Sequence, residues 1–563
     1  MALFNAAPEY GGAAWADSSG TLMTEQDAVR AYHQLSKHQP QRFAPGPGQL
    51  EWATQPAAFR RYAGARLIEL WHRPQEESPD YDAVFAAPLG APAPLNRASL
   101  SQLLYDSLAL SAWKEAGGSR WALRVNPSSG NLHPTEAYLL LPAGSLQDEA
   151  LLAHYTADAH ALEVRGELPA PLAAQLSQAL PAGGCLLALA SIPWREAWKY
   201  GERAYRYCQH DLGHALAALA IAASALGWQV RLLRGVAEAR LDGVFGLDRG
   251  VFHEAEHVDC LLWIGPAQTA EFALPDSLLQ GLAALELSGA PNRLSRQQRD
   301  WPELARVQAL CRAPALPAQP WQTEAGRVQA DNPGLALRPL LHRRRSAQAM
   351  DGNSGIHAEL LFAWLQRLMP ANSPVPFALS GEAAQVDLLL FVHRVQGLEP
   401  GLYWLARVDG QAQRSLREDF LWQRVHAELP LYRLLEGDAR GLAAFLSCGQ
   451  DIASDGCVAL AMLSRFDAAL EAGAWRYPRL YWECGQIGQL LYLEAEAAGL
   501  SATGIGCYFD DSLHELLGLA DSRWQSLYHF TLGRAVWDER LSSLPAYSEL
   551  RLPPTGAVIG EQA

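Results

Sequence analysis

Arg124-Val-Asn-Pro-Ser-Ser-Gly-Asn-Leu-His-Pro-Thr-Glu-Ala-Tyr-Leu-Leu-Leu141 is the stretch on which the reading of this chain turns. A turn of small polar residues runs here into an apolar strand. Pro127 fixes one φ and has no N–H. Ser128, Ser129 and Asn131 carry hydroxyl and amide groups that both donate and accept hydrogen bonds, and Gly130 lets a flat ligand approach the backbone. The segment from Arg124 to Asn131 therefore suits the polar edge of a planar heterocycle. Composition alone would equally describe an ordinary Ser/Asn/Gly turn, so the surroundings decide.

A chain of 563 residues is too long for one core, and two or more domains are expected. Its net charge of -15 argues against nucleic acid as the main partner, because phosphate binding needs a basic surface. No apolar run reaches the length of a membrane span, and the first residues, Met-Ala-Leu-Phe-Asn-Ala-Ala-Pro-Glu-Tyr, show no signal peptide. The eight cysteines are scattered with no C-x-x-C pair, which fits free thiols in a reducing, cytoplasmic setting and no metal site.

Outward from the opening stretch, helical spacing runs from Ser99 to Leu110. Apolar strands are expected at Ala137–Leu141, Cys185–Ala190 and Val258–Ile264. Between them a stretch from Tyr205 to Leu226 is apolar nearly all round and reads as a buried helix. Residues 1–95, rich in Pro, Gly and aromatics, read as an extension packed on a first domain at 96–285. Residues 286–335 read as a Pro/Gln/Arg-rich linker, and 336–563 as a second domain.

The pattern recurs after the linker. Gly184-Cys-Leu-Leu-Ala-Leu-Ala190 matches Gly456-Cys-Val-Ala-Leu-Ala-Met462, and Asp211-Leu-Gly213 matches Glu483-Cys-Gly485, both at an offset of 272. Gly265-Pro-Ala267 matches Gly533-Arg-Ala535 at 268. The chain is one α+β fold written twice, a sheet packed by helices around a central apolar helix in each half.

The halves share a framework but not their loops. His342-Arg-Arg-Arg-Ser-Ala-Gln-Ala-Met350 offers guanidinium forks and a hydroxyl suited to a phosphate. Ala502-Thr-Gly-Ile-Gly-Cys-Tyr-Phe-Asp-Asp511 sets two glycines around one residue, where backbone can pass close to a flat ring. The first half has neither; the second half has no Pro-Ser-Ser-Gly-Asn. Together these segments resemble the nitroreductase family, and most of all its SagB-type dehydrogenases, which include azoline oxidases of peptide natural-product pathways.

The resemblance implies two tandem nitroreductase-like domains packed as an intrachain pseudo-dimer, with FMN as cofactor. It implies that Arg344, Arg345 and Ser346 hold the flavin phosphate, although Gln348 departs from a basic residue often found there. Arg534 or Arg540 would complete that site. Gly504, Ile505 and Gly506 would face the flavin N5, and the loop from Arg124 to Asn131 would come from the other half. One composite site per chain follows. Trp198-Lys-Tyr-Gly-Glu-Arg-Ala-Tyr-Arg-Tyr207 resembles the Lys-Tyr segment of SagB-type enzymes, which would make Lys199 and Tyr200 catalytic, with Arg203 and Arg206 lowering the Lys199 pKa. A lysine that caps a helix or pairs with Glu202 is the competing view.

His253-Glu-Ala-Glu-His257 has the literal H-E-x-x-H pattern, but a glycine precedes it and a strand follows, so both histidines do not share a helix face and no zinc is expected. The expected activity is an FMN-dependent oxidoreductase of dehydrogenase type acting on a small molecule or modified peptide. A non-catalytic flavin-binding or scaffold protein of a biosynthetic complex, or an NAD(P)H-dependent nitro or quinone reductase, are the alternatives.

Overall fold

The computed structural model describes residues 15–16, 22–72, 78–268, 270–321, 326, 331–408, 412–549 and 551. The ends of the chain, including the start of the extension and the last residues of the second domain, lie outside the described residues, as do 322–325 and 327–330 of the linker.

Two seven-stranded antiparallel sheets form the frame. The strands of the first are β1 (Arg66–Glu69), β4 (Thr135–Leu141), β5 (Leu151–Thr156), β6 (Ala161–Glu167), β7 (Cys185–Ser191), β8 (Gln229–Leu232) and β9 (His257–Gly265). Between β1 and β4 the chain makes a hairpin, β2 (Leu110–Ala116) and β3 (Ser119–Arg124). The second sheet holds β10 (Val386–Val392), β11 (Gly401–Leu405), β12 (Gln423–Arg424), β13 (Leu431–Glu436), β14 (Val458–Ser464), β15 (Ser501–Ile505) and β16 (Gln525–Gly533).

Across the sheets the orders are β8-β9-β7-β4-β5-β6-β1 and β15-β16-β14-β10-β11-β13-β12. The first six positions correspond in space and in chain order, as the repeat requires. The edge strand differs, because β1 comes from the N-terminal extension whereas β12 immediately precedes its neighbour. Central strands such as β4, β7, β10 and β14 are buried at every position, with helices on their faces. Their largely apolar runs, interrupted by the buried Glu136 in β4 and Asp387 in β10, follow from that.

Helices used below are α1 (Glu25–Leu35), α2 (Pro193–Tyr200), α3 (Ala204–Ser224), α4 (Pro302–Leu310), α5 (Leu337–Arg343) and α6 (Arg476–Ala497). Every residue of α3 is buried. It crosses α6 at two glycines that are themselves repeat mates. A Cβ on Gly213 would lie 2.4 Å from the Trp482 carbonyl oxygen and 2.9 Å from Gly485 Cα. One on Gly485 would lie 2.4 Å from the His210 carbonyl oxygen and 2.7 Å from Gly213 Cα. The two halves thus touch backbone to backbone on their pseudo-twofold axis, which is the intrachain pseudo-dimer.

The extension does not pack on the first domain alone. Its strand β1 joins the first sheet, but α1 lies on the second half, where Arg30 pairs with Asp467 at 2.8 Å and the ring nitrogens of His33 lie 3.1 Å from Tyr477 Oη and 3.1 Å from Gln525 Oε1. The linker is partly helical, because α4 buries Leu304 and Val307 against the core. The exchange is mutual at the other end: β17 (Ser542–Leu544), after the second sheet, pairs with β2 of the first half.

Candidate functional site

Between the halves lies a cavity of about 410 Å³. One wall is the loop after β3, the other is the end of α5 and the end of β15. Arg124, Pro127, Ser128, Ser129, Gly130 and Asn131 line it from the first half; Arg344, Arg345, Ser346, Gln348, Gly504, Ile505 and Gly506 line it from the second. Tyr200 lines it as well. Arg534 and Arg540 do not. Arg534 is exposed and donates to Ser354 Oγ at 3.1 Å, and Arg540 is exposed and pairs with Asp538 at 2.7 Å.

The first-half loop is tightly held. Gly130, Asn131 and His133 all have positive φ, at 58°, 59° and 51°. A glycine tolerates this and Asn is the next best residue. Asn131 Nδ2 donates to the Ala122 carbonyl at 2.9 Å, and the Ser128 hydroxyl accepts the His133 N–H at 2.8 Å. Beneath, Arg195 donates to the His133 carbonyl at 2.6 Å and to Glu136 at 2.5 Å. Asp211, on α3, accepts the Ser129 N–H at 2.9 Å and the Ser129 hydroxyl at 2.8 Å. Burial pushes the Asp211 carboxyl up to about 7, against the pull of the Ser128 and Ser129 hydrogen bonds.

At three glycines of the cavity wall the backbone packs directly on tyrosines, with no space for a side chain. A Cβ at Gly130 would meet Tyr200 Oη at 2.6 Å, one at Gly504 would meet Tyr528 Oη at 2.0 Å, and one at Gly506 would meet the Tyr207 ring at 2.1 Å. The Gly506 carbonyl accepts from Tyr207 Oη and from Arg203, each at 3.0 Å, so the second-half loop is fixed by first-half side chains.

At the other end of the cavity positive charge accumulates. The buried Arg344 guanidinium donates to the Val125 and Arg124 carbonyls at 3.2 and 3.1 Å, lies 5.0 Å from the centre of the Tyr492 ring, and leaves Nη1 without a hydrogen-bond partner. No carboxylate lies within 4 Å of Arg124, Arg344 or Arg345 among the described residues. Burial lowers the pKa of Arg124, Arg344, Arg345 and Lys114, and a cationic neighbour lowers Arg345 and Lys114 further, Arg345 to about 10. An orphaned donor on a buried cation without a counter-ion costs free energy until an anion meets it. These residues fit a phosphate-bearing planar ligand.

Lys199 and Tyr200 end α2 beside this loop. Lys199 Nζ would lie 3.1 Å from a Cβ at Gly130 and sits 5.2 Å from the Tyr200 ring centre. Tyr200 stacks at a tilt on Tyr207, centres 4.2 Å apart. The positive neighbours expected from the sequence are otherwise engaged. Arg206 and Arg203 pair with the buried Asp510 at 2.7 and 3.3 Å, and Tyr205 packs in the core against Tyr477. Glu202 is not a partner of Lys199 either, since its carboxylate accepts the Leu304 N–H at 2.7 Å at the start of α4.

Sequence reasoning missed Asp211 as a loop anchor, although it stands in the repeat match, and missed Glu196. That carboxyl is buried one turn before Lys199 with no hydrogen-bond partner, and burial, then Asp211, drives its pKa well up. No periodicity separates such a residue from a surface glutamate. His253 lies in a turn and His257 opens β9, its Nδ1 3.0 Å from Asp242 Oδ2, so the two histidines share no helix face.

A second cavity of about 50 Å³ occupies the related place on α6, lined by Arg479, Glu483 and Gln486 where the large one has Tyr207, Asp211 and His214.

A sequence model of the nitroreductase family matches residues 92–265 and 410–534, over half of the chain and one segment in each half. The chain belongs to the nitroreductase family. Among solved structures, a nitroreductase-type protein from Anabaena variabilis aligns over 90% of this chain and 99% of its own, with 23% identity and a TM-score of 0.65, and shares the whole tandem fold. The microcin synthetase McbBCD of E. coli, solved with truncated pro-MccB17, aligns over 43% of this chain and 93% of its own at 16% identity and a TM-score of 0.26. A nitroreductase-type protein of Exiguobacterium sibiricum in complex with FMN gives 38% and 91%, 17% identity and 0.21. No curated protein matches the chain.

Proposed function

We propose that this protein is an FMN-dependent oxidoreductase of the SagB dehydrogenase type. It carries one composite flavin site per chain and acts on a small molecule or modified peptide. The observation that carries the reading is the cavity between the halves, with an arginine cluster that has no carboxylate partner at one end and three glycines against tyrosine edges elsewhere. Bound there, FMN would supply a hydride-accepting ring, while the protein supplies position, shielding and electrostatics.

Arg344, Arg345 and Ser346 hold the phosphate, as charge-assisted bonds to planar guanidinium forks favour. The loop from Pro127 to Asn131 and the turn from Gly504 to Gly506 hold the ring from opposite halves. Lys199 Nζ accepts the proton that leaves the substrate, and Tyr200 Oη orients the substrate; both lie within reach of the Gly130 loop. A cytoplasmic setting suits this chemistry, and no described helix is long and apolar enough to cross a membrane.

The direct test compares FMN with riboflavin, which lacks only the phosphate. The proposal expects FMN to bind roughly ten- to a hundredfold more tightly, the contribution of a charge-assisted contact. Equal affinities would remove the phosphate assignment, and a protein that binds neither would remove the flavin.

A further inference from the structure

Two cysteines that stand 59 residues apart in sequence meet at the rim of this cavity. Cys507 follows Gly506 directly and lines the cavity; Cys448 lies in the turn after the helix Arg440–Leu446. Their sulfurs are 2.6 Å apart. They are also the two partly exposed cysteines of the chain, while the other six are buried. The buried six have no route to an external reagent; this pair has one.

The surroundings are arranged for reactivity. Cys448 has a φ of 55°, a backbone region that few non-glycine residues occupy and that needs local support. Support comes from the Gly449 N–H, which bonds the Ala444 carbonyl at 2.9 Å, and from Gln450 Nε2, which donates to the Cys507 carbonyl at 3.1 Å and joins the two turns. His38 Nδ1 accepts the Ala44 N–H at 2.9 Å, so the ring proton sits on Nε2, the nitrogen left to donate to the Cys507 sulfur. The Cys448 thiol, then His38 and Arg203, pull the Cys507 pKa down against burial, and the Cys448 thiol is correspondingly raised. These shifts make Cys507 the more acidic thiol of the pair.

We propose that Cys448 and Cys507 form a reversible dithiol–disulfide couple on the cavity rim, with a small disulfide or thiol as co-reactant. In the oxidising direction the Cys507 thiolate attacks one sulfur of a disulfide RSSR. The Cys507–SR bond forms, the S–S bond breaks, and RS⁻ leaves and takes up a proton. Cys448 then loses its proton to water and attacks Cys507 Sγ, expelling the second RS⁻. Two protein thiols are oxidised by two electrons, and the disulfide is reduced to two thiols. The product bond ties the 448 turn to the residue after Gly506, so the rim of the cavity follows the surrounding thiol poise. This couple does not depend on the cofactor reading, because its chemistry needs only the two side chains.

The test uses the full-length protein with oxidised glutathione in excess, followed by thiol alkylation under denaturing conditions and peptide mapping. Two of the eight thiols should disappear, a Cys448–Cys507 cross-linked peptide should appear with a loss of two hydrogens, and dithiothreitol should restore all eight. Under the same conditions C448S should stop at one glutathione on Cys507, and C507S should take up at least tenfold less. Eight unreacted thiols, or a cross-link between other cysteines, would overturn the proposal. So would a C507S protein that is glutathionylated on Cys448 as fast as C448S is on Cys507.

Discussion

The large and small cavities sit at equivalent places on α3 and α6, yet one measures about 410 Å³ and the other about 50 Å³. The frame around them is the same: related strands in the same order, and two long helices crossing at Gly213 and Gly485. What differs is side-chain volume and charge compensation. Where the large cavity has Gly504 and Gly506, the first half has Leu232 and Arg234 at the same offset. Where Thr503 stands, the first half has Arg231, whose buried guanidinium bonds the Ala378 carbonyl beside the small cavity.

Glu483, the mate of Asp211, accepts the Gln385 N–H at 2.8 Å as Asp211 accepts the Ser129 N–H, but it also pairs with Arg407 at 2.6 Å. Arg479 takes the place of Tyr207 and stacks 4.3 Å from the Trp482 ring. In the small cavity Arg476, Arg479 and Glu483 each sit in an ion pair, with Glu382, Glu238 and Arg407, and the space is taken. In the large one Arg344 has no carboxylate within 4 Å among the described residues and the space is open. A duplicated fold can keep its frame while only one of two sites keeps the room and the unpaired charge that a ligand requires.

Carrying the filled residues into the open cavity should break the difference outright. Gly504→Leu with Gly506→Arg reproduces Leu232 and Arg234; a Cβ at Gly504 already meets Tyr528 Oη at 2.0 Å. The double variant should purify colourless and bind no FMN in a fluorescence titration, with a cooperative thermal transition retained. Full flavin content in that variant would mean the glycine turn does not border the ring.

Next in size, Lys199→Ala should keep fold and flavin but lower turnover about 10²–10⁴-fold, the usual contribution of a general base. Single-turnover kinetics separate this from a binding defect. Loss of flavin, or unchanged turnover, would take Lys199 out of the chemistry. Arg344→Ala should weaken FMN about ten- to a hundredfold and leave riboflavin affinity unchanged. The matching change in the filled cavity, Arg231→Ala, should leave FMN affinity as it was.

The last effect concerns pH. The folded-state pKa of Asp211, about 7, lies above its ordinary 3.8 because of burial. Its contribution therefore favours the fold fully below pH 3.8 and is lost as pH rises through 7, a span worth on the order of 4 kcal/mol. Asp211→Asn should flatten the pH dependence of the apo-protein's unfolding free energy between about pH 4 and 7. A curve parallel to wild type would show that Asp211 does not titrate there.

Much of the frame could be read from the sequence because it is written in apolar periodicity, twice. Thr135–Leu141, Cys185–Ser191 and the buried helix Ala204–Ser224 lie within a residue or two of their expected bounds. The cavity-lining loops were legible for a related reason: glycines, serines and arginines in short fixed spacings mark them. The rest depends on packing between distant segments. Nothing in α1 says that it crosses to the second half, and nothing in Glu196 says that its carboxyl lies buried without a partner. Arg534 and Arg540 followed from the resemblance, but their side chains engage Ser354 and Asp538, while Trp537 and Leu541 of the same segment line the cavity. Cys448 and Cys507 meet only because the helix before one and the turn before the other converge.

The account rests on one open cavity and one filled one, so the flavin-to-protein ratio tests it most directly. Fully reconstituted full-length protein, with flavin measured by absorbance after release and protein by amino-acid analysis, should give one FMN per chain, and Arg344→Ala should lower that single occupancy at limiting FMN. Two FMN per chain, or one that persists undiminished when both Arg344 and the Gly504–Gly506 turn are altered, would contradict it.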